Sequence, residues 1–372
     1  MDRLHPTTSQ KLVRLIFIVI AGLMLCAGLM QTATAAPPQF ATVTPKPALV
    51  FPRDHGAHPA FRTEWWYATG WLQTPDKRSI GFQVTFFRSA TEHDRANPSR
   101  FAPAQLIVAH VALSDPADGK LLHDQKIARA GFGLAQAASE DTDVQLHNWR
   151  MRREASGRYQ ITLPAREFAL TLTLTPSQPI MLQGEGGFSR KGPRPEQASY
   201  YYSQPHLQVR GELQRAGKKT PVTGSAWLDH EWSSTVLDPQ ASGWDWVGMN
   251  LDDGGALMAF QIRDKDGRAL WGHAMLREAS GKVTRFAPGS VRFTPQRRWK
   301  SPRTGATYPV ATLIETGTLR WLVTPLQDDQ ELDSRQSTGA VYWEGAARIT
   351  RNGQPAGRGY LEMTGYLKPL KL

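Results

Sequence analysis

Short runs in which apolar and polar residues alternate one by one dominate the chain from about residue 65 onward. At residues 80–88, Phe82, Val84 and Phe86 fall on one face and Gln83 and Thr85 on the other. At residues 168–175, Phe168, Leu170, Leu172 and Leu174 alternate with alanine and threonine. Successive side chains of a strand point to opposite sides, so this period of two predicts strands with one apolar and one polar face. Such strands belong to antiparallel sheets, sandwiches or barrels. Turn-forming stretches such as Gln73-Thr74-Pro75-Asp76-Lys77-Arg78-Ser79 separate the runs. Helical periodicity is almost absent, and only residues 333–337 suggest a short helical turn. The pattern predicts an all-β protein.

The pattern also repeats. Trp65-Trp66-Tyr67-Ala68-Thr69-Gly70-Trp71-Leu72 has an echo in Trp244-Asp245-Trp246-Val247-Gly248-Met249-Asn250-Leu251, and each is followed by a polar turn and a second strand. The ends match too: Ala226-Trp227-Leu228-Asp229 parallels Gly359-Tyr360-Leu361-Glu362. A duplicated antiparallel meander is the simplest account, with the join near residues 233–242. The expected domains are residues 51–235 and 236–372.

The first residues set a compartment. Arg3, Lys11 and Arg14 precede an apolar run at residues 15–30, and Thr32-Ala33-Thr34-Ala35-Ala36 follows it. This is the arrangement of a secretory signal peptide, expected over residues 1–36 with cleavage near Ala35 or Ala36. A Pro-rich lead at residues 37–50 follows, and the mature protein is expected to be periplasmic or secreted. Cys26 is the chain's single cysteine and lies in the leader, which excludes thiol nucleophiles and cysteine metal sites from the mature protein. The net charge is +11, but its densest clusters, Arg150-Met151-Arg152-Arg153 and Arg297-Arg298-Trp299-Lys300, are short and interrupted. Nucleic-acid binders concentrate such charge on one face, so no nucleic acid is expected, and an anionic membrane surface stays open as a partner.

Candidate chemistry gathers where tryptophans meet ionisable residues. The chain has 12 tryptophans, and three clusters stand out: Glu64-Trp65-Trp66-Tyr67, Trp227-Leu228-Asp229-His230-Glu231-Trp232 and Trp244-Asp245-Trp246. Tyr342-Trp343-Glu344 is a fainter fourth. By strand alternation Trp227, Asp229 and Glu231 point one way, and Leu228, His230 and Trp232 the other. Trp244 and Trp246 likewise share a face that Asp245 opposes. A carboxyl among aromatic rings loses hydration and stays protonated near neutral pH, where it serves as an acid. Ring faces stabilise a developing cation by roughly 0.5–2 kcal/mol each. Asp54-His55-Gly56-Ala57-His58 offers a His-x-x-His spacing but no identifiable third ligand, so no metal is expected. A Gly-x-Ser-x-Gly elbow is absent.

Several of these segments are similar to the AttH/carotenoid 1,2-hydratase family. They are Phe51-Pro52-Arg53-Asp54-His55-Gly56-Ala57-His58 running into Thr63-Glu64-Trp65-Trp66-Tyr67, then residues 226–232, residues 243–246 and residues 357–366. The resemblance implies two tandem lipocalin-like antiparallel β-barrel or sandwich domains. It also implies cofactor-independent addition of water to an alkene, carried by a His-x-Trp pair with an acid nearby. His230 and Trp232 match that spacing, whereas the hydratases' Tyr-x-Asp element has its nearest counterpart in Trp244-Asp245-Trp246. The expectation is therefore an exported hydratase- or hydrolase-like enzyme acting on a lipophilic small molecule. Asp229, Glu231 or Asp245 would supply the proton and His230 would orient or deprotonate water. Trp232, Trp244 and Trp246 would cage the cation, with Glu64, Trp65, Trp66 and Tyr67 contacting the substrate. The competing expectation is a non-catalytic lipophile carrier associated with an ABC-type envelope export system, which needs the apolar pocket but no proton chemistry.

Overall fold

A computed structural model describes residues 39–45, 49–93, 97–99, 101–235 and 237–370. The expected signal peptide and Cys26 lie outside the described residues. The described chain is built of strands, with three 3-10 turns and no α-helix. Of residues 333–337, where a helical turn was suggested, 333 and 334 end a strand and 335–337 form a plain turn after it.

The first sheet opens with a meander of β1 (Thr63–Gln73), β2 (Ser79–Ala90), β3 (Gln105–Ser114) and β4 (Leu122–Arg129). It continues through β5 (Ala135–Ala137), β6 (Asp143–Leu146), β7 (Trp149–Arg153), β8 (Tyr159–Pro164) and β9 (Phe168–Thr175). The short β10 (Met181–Leu182) and β11 (Phe188–Arg190) lead to the long hairpin of β12 (Ala198–Arg215) and β13 (Lys218–Thr235). The second sheet comprises β14 (Ala241–Leu251), β15 (Ala256–Asp264), β16 (Ala269–Arg277), β17 (Val283–Phe286), β18 (Val291–Lys300) and β19 (Thr307–Thr316). It ends with β20 (Leu319–Pro325), β21 (Glu331–Ser334), β22 (Ala340–Arg351) and β23 (Gln354–Met363).

Both sheets follow one path. The first runs β4-β3-β2-β1-β13-β12-β9-β8-β7-β6-β5 and nearly closes into a barrel; the second runs β17-β16-β15-β14-β23-β22-β20-β19-β18. In each, a four-strand meander returns so that its first strand pairs with the last strand of its half. β1 thus matches β14, β12 matches β22 and β13 matches β23, which is the topology a duplication leaves.

The alternation in sequence explains the packing. From β1, Trp66, Ala68 and Leu72 enter the interior of the first barrel, where they meet Phe82, Phe86, Trp149 and Leu172. The interior is filled by such side chains, so the barrel holds a core and not a ligand chamber. The second sheet has its own core around Val247, Leu257, Tyr308, Trp321 and Trp343. A third cluster joins the outer faces of the two halves: Tyr67, Trp71, Trp227, Tyr201, Trp246, Phe260 and Tyr360. This is why β1 and β14 are buried on both faces. Across the junction the Trp71 Nε1–H donates to the Gly359 carbonyl at 3.0 Å. Gly81 sits so close to the other half that a Cβ there would stand 2.5 Å from that of Ala346.

Candidate active site

The outer faces of the two halves do not meet everywhere. A cleft with about 830 Å3 of empty space, counted with its open mouth, remains between them. Its walls come from alternate residues of the paired strands: Trp65 and Tyr67 of β1, Asp229 and Glu231 of β13, Trp244 and Trp246 of β14. Thr85, Phe87, Tyr201, Phe260 and Ile262 complete the apolar surface, and Glu344, Glu362 and Lys191 add charge. The rings meet edge to face, Tyr67 against Trp246 at 5.3 Å and Trp227 against Trp246 at 6.4 Å. Six of the sequence-predicted residues therefore converge here: Asp229, Glu231, Trp65, Tyr67, Trp244 and Trp246.

The four carboxyls of the cleft have different surroundings. Asp229 accepts three hydrogen bonds, from the Tyr201 hydroxyl at 2.6 Å, the Ser203 hydroxyl at 2.5 Å and the Trp227 indole N–H at 2.6 Å. The Trp246 indole in turn donates to the Tyr201 hydroxyl at 3.1 Å. Burial outweighs these donors and pushes the Asp229 carboxyl up to about 7, with the charge of Glu231 adding to the rise. Glu231 has its own cation, Lys191 Nζ at 2.8 Å, and also accepts from Ser199. The Lys191 ammonium lies over the Tyr201 and Phe260 rings at 4.7 and 4.2 Å. Glu344 and Glu362 are direct partners across β22 and β23. Burial, and then the charge of Glu362, hold the Glu344 carboxyl well above the carboxylate range. Burial likewise pushes Glu362 up to about 8, opposed by the Trp244 side chain.

The other expected residues point away. His230, Trp232, Glu64 and Trp66 lie on the opposite faces of β13 and β1, where the segment around Asp54, His55 and His58 covers them. There Glu64 sits at the centre of a sealed network. Its Oε1 accepts from His58 Nδ1 at 2.7 Å and from His230 Nε2 at 2.9 Å. Its Oε2 accepts from the Arg88 Nε–H at 2.7 Å and the His58 backbone N–H at 2.8 Å. An ionised carboxylate only accepts, so both facing imidazole nitrogens carry hydrogen. Burial alone would raise Glu64, but the hydrogen bonds from His230 and His58 hold it well below the usual range. Burial lowers His230, leaving it neutral. Trp232 stacks on His58 at 3.7 Å and Trp66 on His230 at 4.7 Å. His230 thus does not share a cavity with Asp229; it braces the strand that carries Asp229 and Glu231.

His58, Glu64 and His230 bring ligand-type atoms within 4.8 Å of one another, the spacing of a metal site. Those atoms already bond each other, and Arg88 places a guanidinium on the same carboxylate. A cation there would meet that charge, so the donor set fits a hydrogen-bonded brace better than a metal.

Asp245 also departs from expectation. It faces the core side of β14, accepting from Gln261 at 2.9 Å, from the Arg263 Nε–H at 3.3 Å and from the Tyr366 hydroxyl at 2.9 Å. The alternation that turns Trp244 and Trp246 into the cleft turns Asp245 out of it. Conversely, Lys191, Tyr201, Ser203 and Glu362 were not singled out by the sequence. Glu362 had a signal: it falls where Asp229 falls in the repeat.

Likeness to other proteins decides the relationship. Residues 42–366 match the AttH-like family. The chain belongs to that family. An AttH crystal structure from Nitrosomonas europaea is 62% identical, covering 88% of this chain and 100% of its own, with a TM-score of 0.83. Kievitone hydratase from Nectria haematococca shares the fold at 16% identity, covering 89% of this chain and 98% of its own, with a TM-score of 0.65. The fold recurs in CghA at 12% identity, covering 82% and 89% of the two chains, with a TM-score of 0.50. No curated protein matches the AttH-like chain by sequence.

Proposed function

We propose that this AttH-like protein is an exported, cofactor-independent hydratase- or hydrolase-like enzyme acting on a lipophilic small molecule. The observation that carries this reading is the Asp229 carboxyl, buried among aromatic rings and raised to about 7. A group poised there can donate or take a proton at neutral pH. Addition of water to an alkene needs no more than that: a proton to one carbon, a ring-stabilised cation, and water attacking the other carbon. Trp65, Tyr67, Trp244 and Trp246 supply the aromatic walls. The membership of a hydratase in the same fold is consistent with this chemistry, and the basic balance that remains once residues 1–36 are set aside suits work near an anionic envelope surface.

A carrier would need the rings but gains nothing from four carboxyls in its pocket, each of which costs desolvation. That favours catalysis over carriage. The test is incubation with a panel of acyclic isoprenoid alkenes, lycopene among them, in H2(18)O, followed by mass spectrometry. The wild-type protein should incorporate 18O, and Asp229→Asn should lower kcat by about 100-fold or more. Probes that bind but return unchanged would point instead to the lipophile carrier of an ABC-type export system.

A further inference from the structure

We propose that Glu344 and Glu362 hold at least one proton between them at neutral pH across the β22–β23 pair and form the acid side of the cleft, leaving Asp229 as its base. The catalytic half of this statement rests on the hydratase reading; the shared proton does not.

Three observations support it. The first is register. Glu344 and Glu362 are paired residue to residue, both line the cleft, and opposed Cβ atoms lie about 4.5–5.5 Å apart in such a pair. Two bare carboxylates so close repel strongly, and one proton between them removes the conflict.

The second is the treatment of charge elsewhere. Glu64 has Arg88, Glu231 has Lys191 and Asp245 has Arg263. Among the described residues no cation bridges Glu344 or Glu362. The groups that face Glu344 are hydroxyls, those of Tyr67 and Tyr342, which can hydrogen-bond a carboxyl but carry no positive charge to neutralise a carboxylate.

The third is the duplication. Asp229 and Glu362 stand at matching places on β13 and β23. The residue opposite Asp229 is Ser203, a hydrogen-bond donor, whereas the residue opposite Glu362 is Glu344, a second acid. Three donors offset part of the cost of ionising the buried Asp229, whereas Glu362 has the Trp244 side chain and faces a second acid. The second half therefore favours the acid form more strongly than the first. Neighbouring carboxyls whose surroundings push them apart are how acid and base roles are divided.

The step balances without a further reactant. The pair's proton forms a C–H bond using the alkene π electrons, and the other carbon becomes the cation. A water oxygen attacks that carbon and loses a proton to Asp229. The proton then returns from Asp229 to the pair through solvent, for a net addition of H2O.

The test has two arms on the full-length protein. In the first, 13C side-chain carboxyl NMR of glutamate-labelled protein is followed against pH. One step of the pair should lie well above the ordinary glutamate range, and Glu344→Gln should bring Glu362 down by at least one pH unit. Ordinary titration of both in the wild type, or a Glu362 indifferent to Glu344→Gln, would overturn the shared proton. The wild-type curve needs no variant to fold. In the second arm, kcat/KM for the isoprenoid probes in H2(18)O is measured against pH. The alkaline limb should belong to the pair and shift by about one unit or more in Glu344→Gln. An unmoved limb, or no 18O incorporation by the wild type, would overturn the catalytic half, and the titration alone would then judge the shared proton.

Discussion

Asp229 and Glu362 occupy matching positions on the closing strands of the two halves, and both carboxyls enter the cleft between them. Each half contributes two carboxyls to a shared site, so the site exists only because the outer faces of the two sheets pack together. A lipophile would therefore bind between the halves, not within either core.

The donors around Asp229 set its titration. Tyr201→Phe removes one hydrogen bond to the carboxylate, a contribution of about 1.5 kcal/mol, and should raise Asp229 by about one pH unit from its value near 7. Carboxyl NMR of aspartate-labelled protein reads this directly. A value unchanged from wild type would show that the hydroxyl does not hold the carboxylate.

Stability should fall as pH rises through neutrality. Asp229 and Glu362 are raised in the folded state to about 7 and about 8. Between the ordinary carboxyl range and those values the folded protein holds protons that the unfolded chain has released. The native state is thus favoured at pH 5, and the advantage disappears by about pH 8. Glu362→Gln should remove much of this slope, gaining on the order of 2 kcal/mol over the wild type at pH 8. Urea unfolding at pH 5, 6, 7 and 8 measures both curves; parallel curves would refute the assignment.

The Glu64–Arg88 pair has both side chains wholly buried. Arg88→Met leaves the Glu64 charge uncompensated and strips the His58 and Phe61 carbonyls of their donor, at a cost of about 3–5 kcal/mol. Adding Glu64→Gln should cost less than the sum of the separate losses. Denaturant midpoints of the two single variants and the double variant test this, and strict additivity would contradict it.

The contact of the halves is equally tight at Gly81, where a Cβ would meet Ala346 at 2.5 Å. Gly81→Ala should destabilise by about 1–3 kcal/mol through overpacking. A thermal shift near zero would mean that the halves can separate slightly without loss.

Much of this was legible in the sequence because strand alternation is simple. Phe82, Val84 and Phe86 enter the first core as their period of two requires. The same rule assigns Asp229 and Glu231 to one side and His230 to the other, but it cannot say which side is the cleft. Both sides of β13 are buried, one by the second half and the other by residues 54–58. That choice is made by tertiary packing, which also brings Arg88 to Glu64 and Lys191 to Glu231. Glu362 was within reach through the repeat, since Tyr360-Leu361-Glu362 echoes Trp227-Leu228-Asp229. Its partner Glu344 needed the register of β22 on β23.

The central claim is that chemistry occurs in the cleft that Asp229 enters and Asp245 does not. The direct test compares 18O incorporation into the isoprenoid probes by folded Asp229→Asn and Asp245→Asn proteins. The account predicts loss of turnover by about 100-fold or more in Asp229→Asn and a near wild-type rate in Asp245→Asn. Turnover retained by Asp229→Asn and abolished in Asp245→Asn would contradict it.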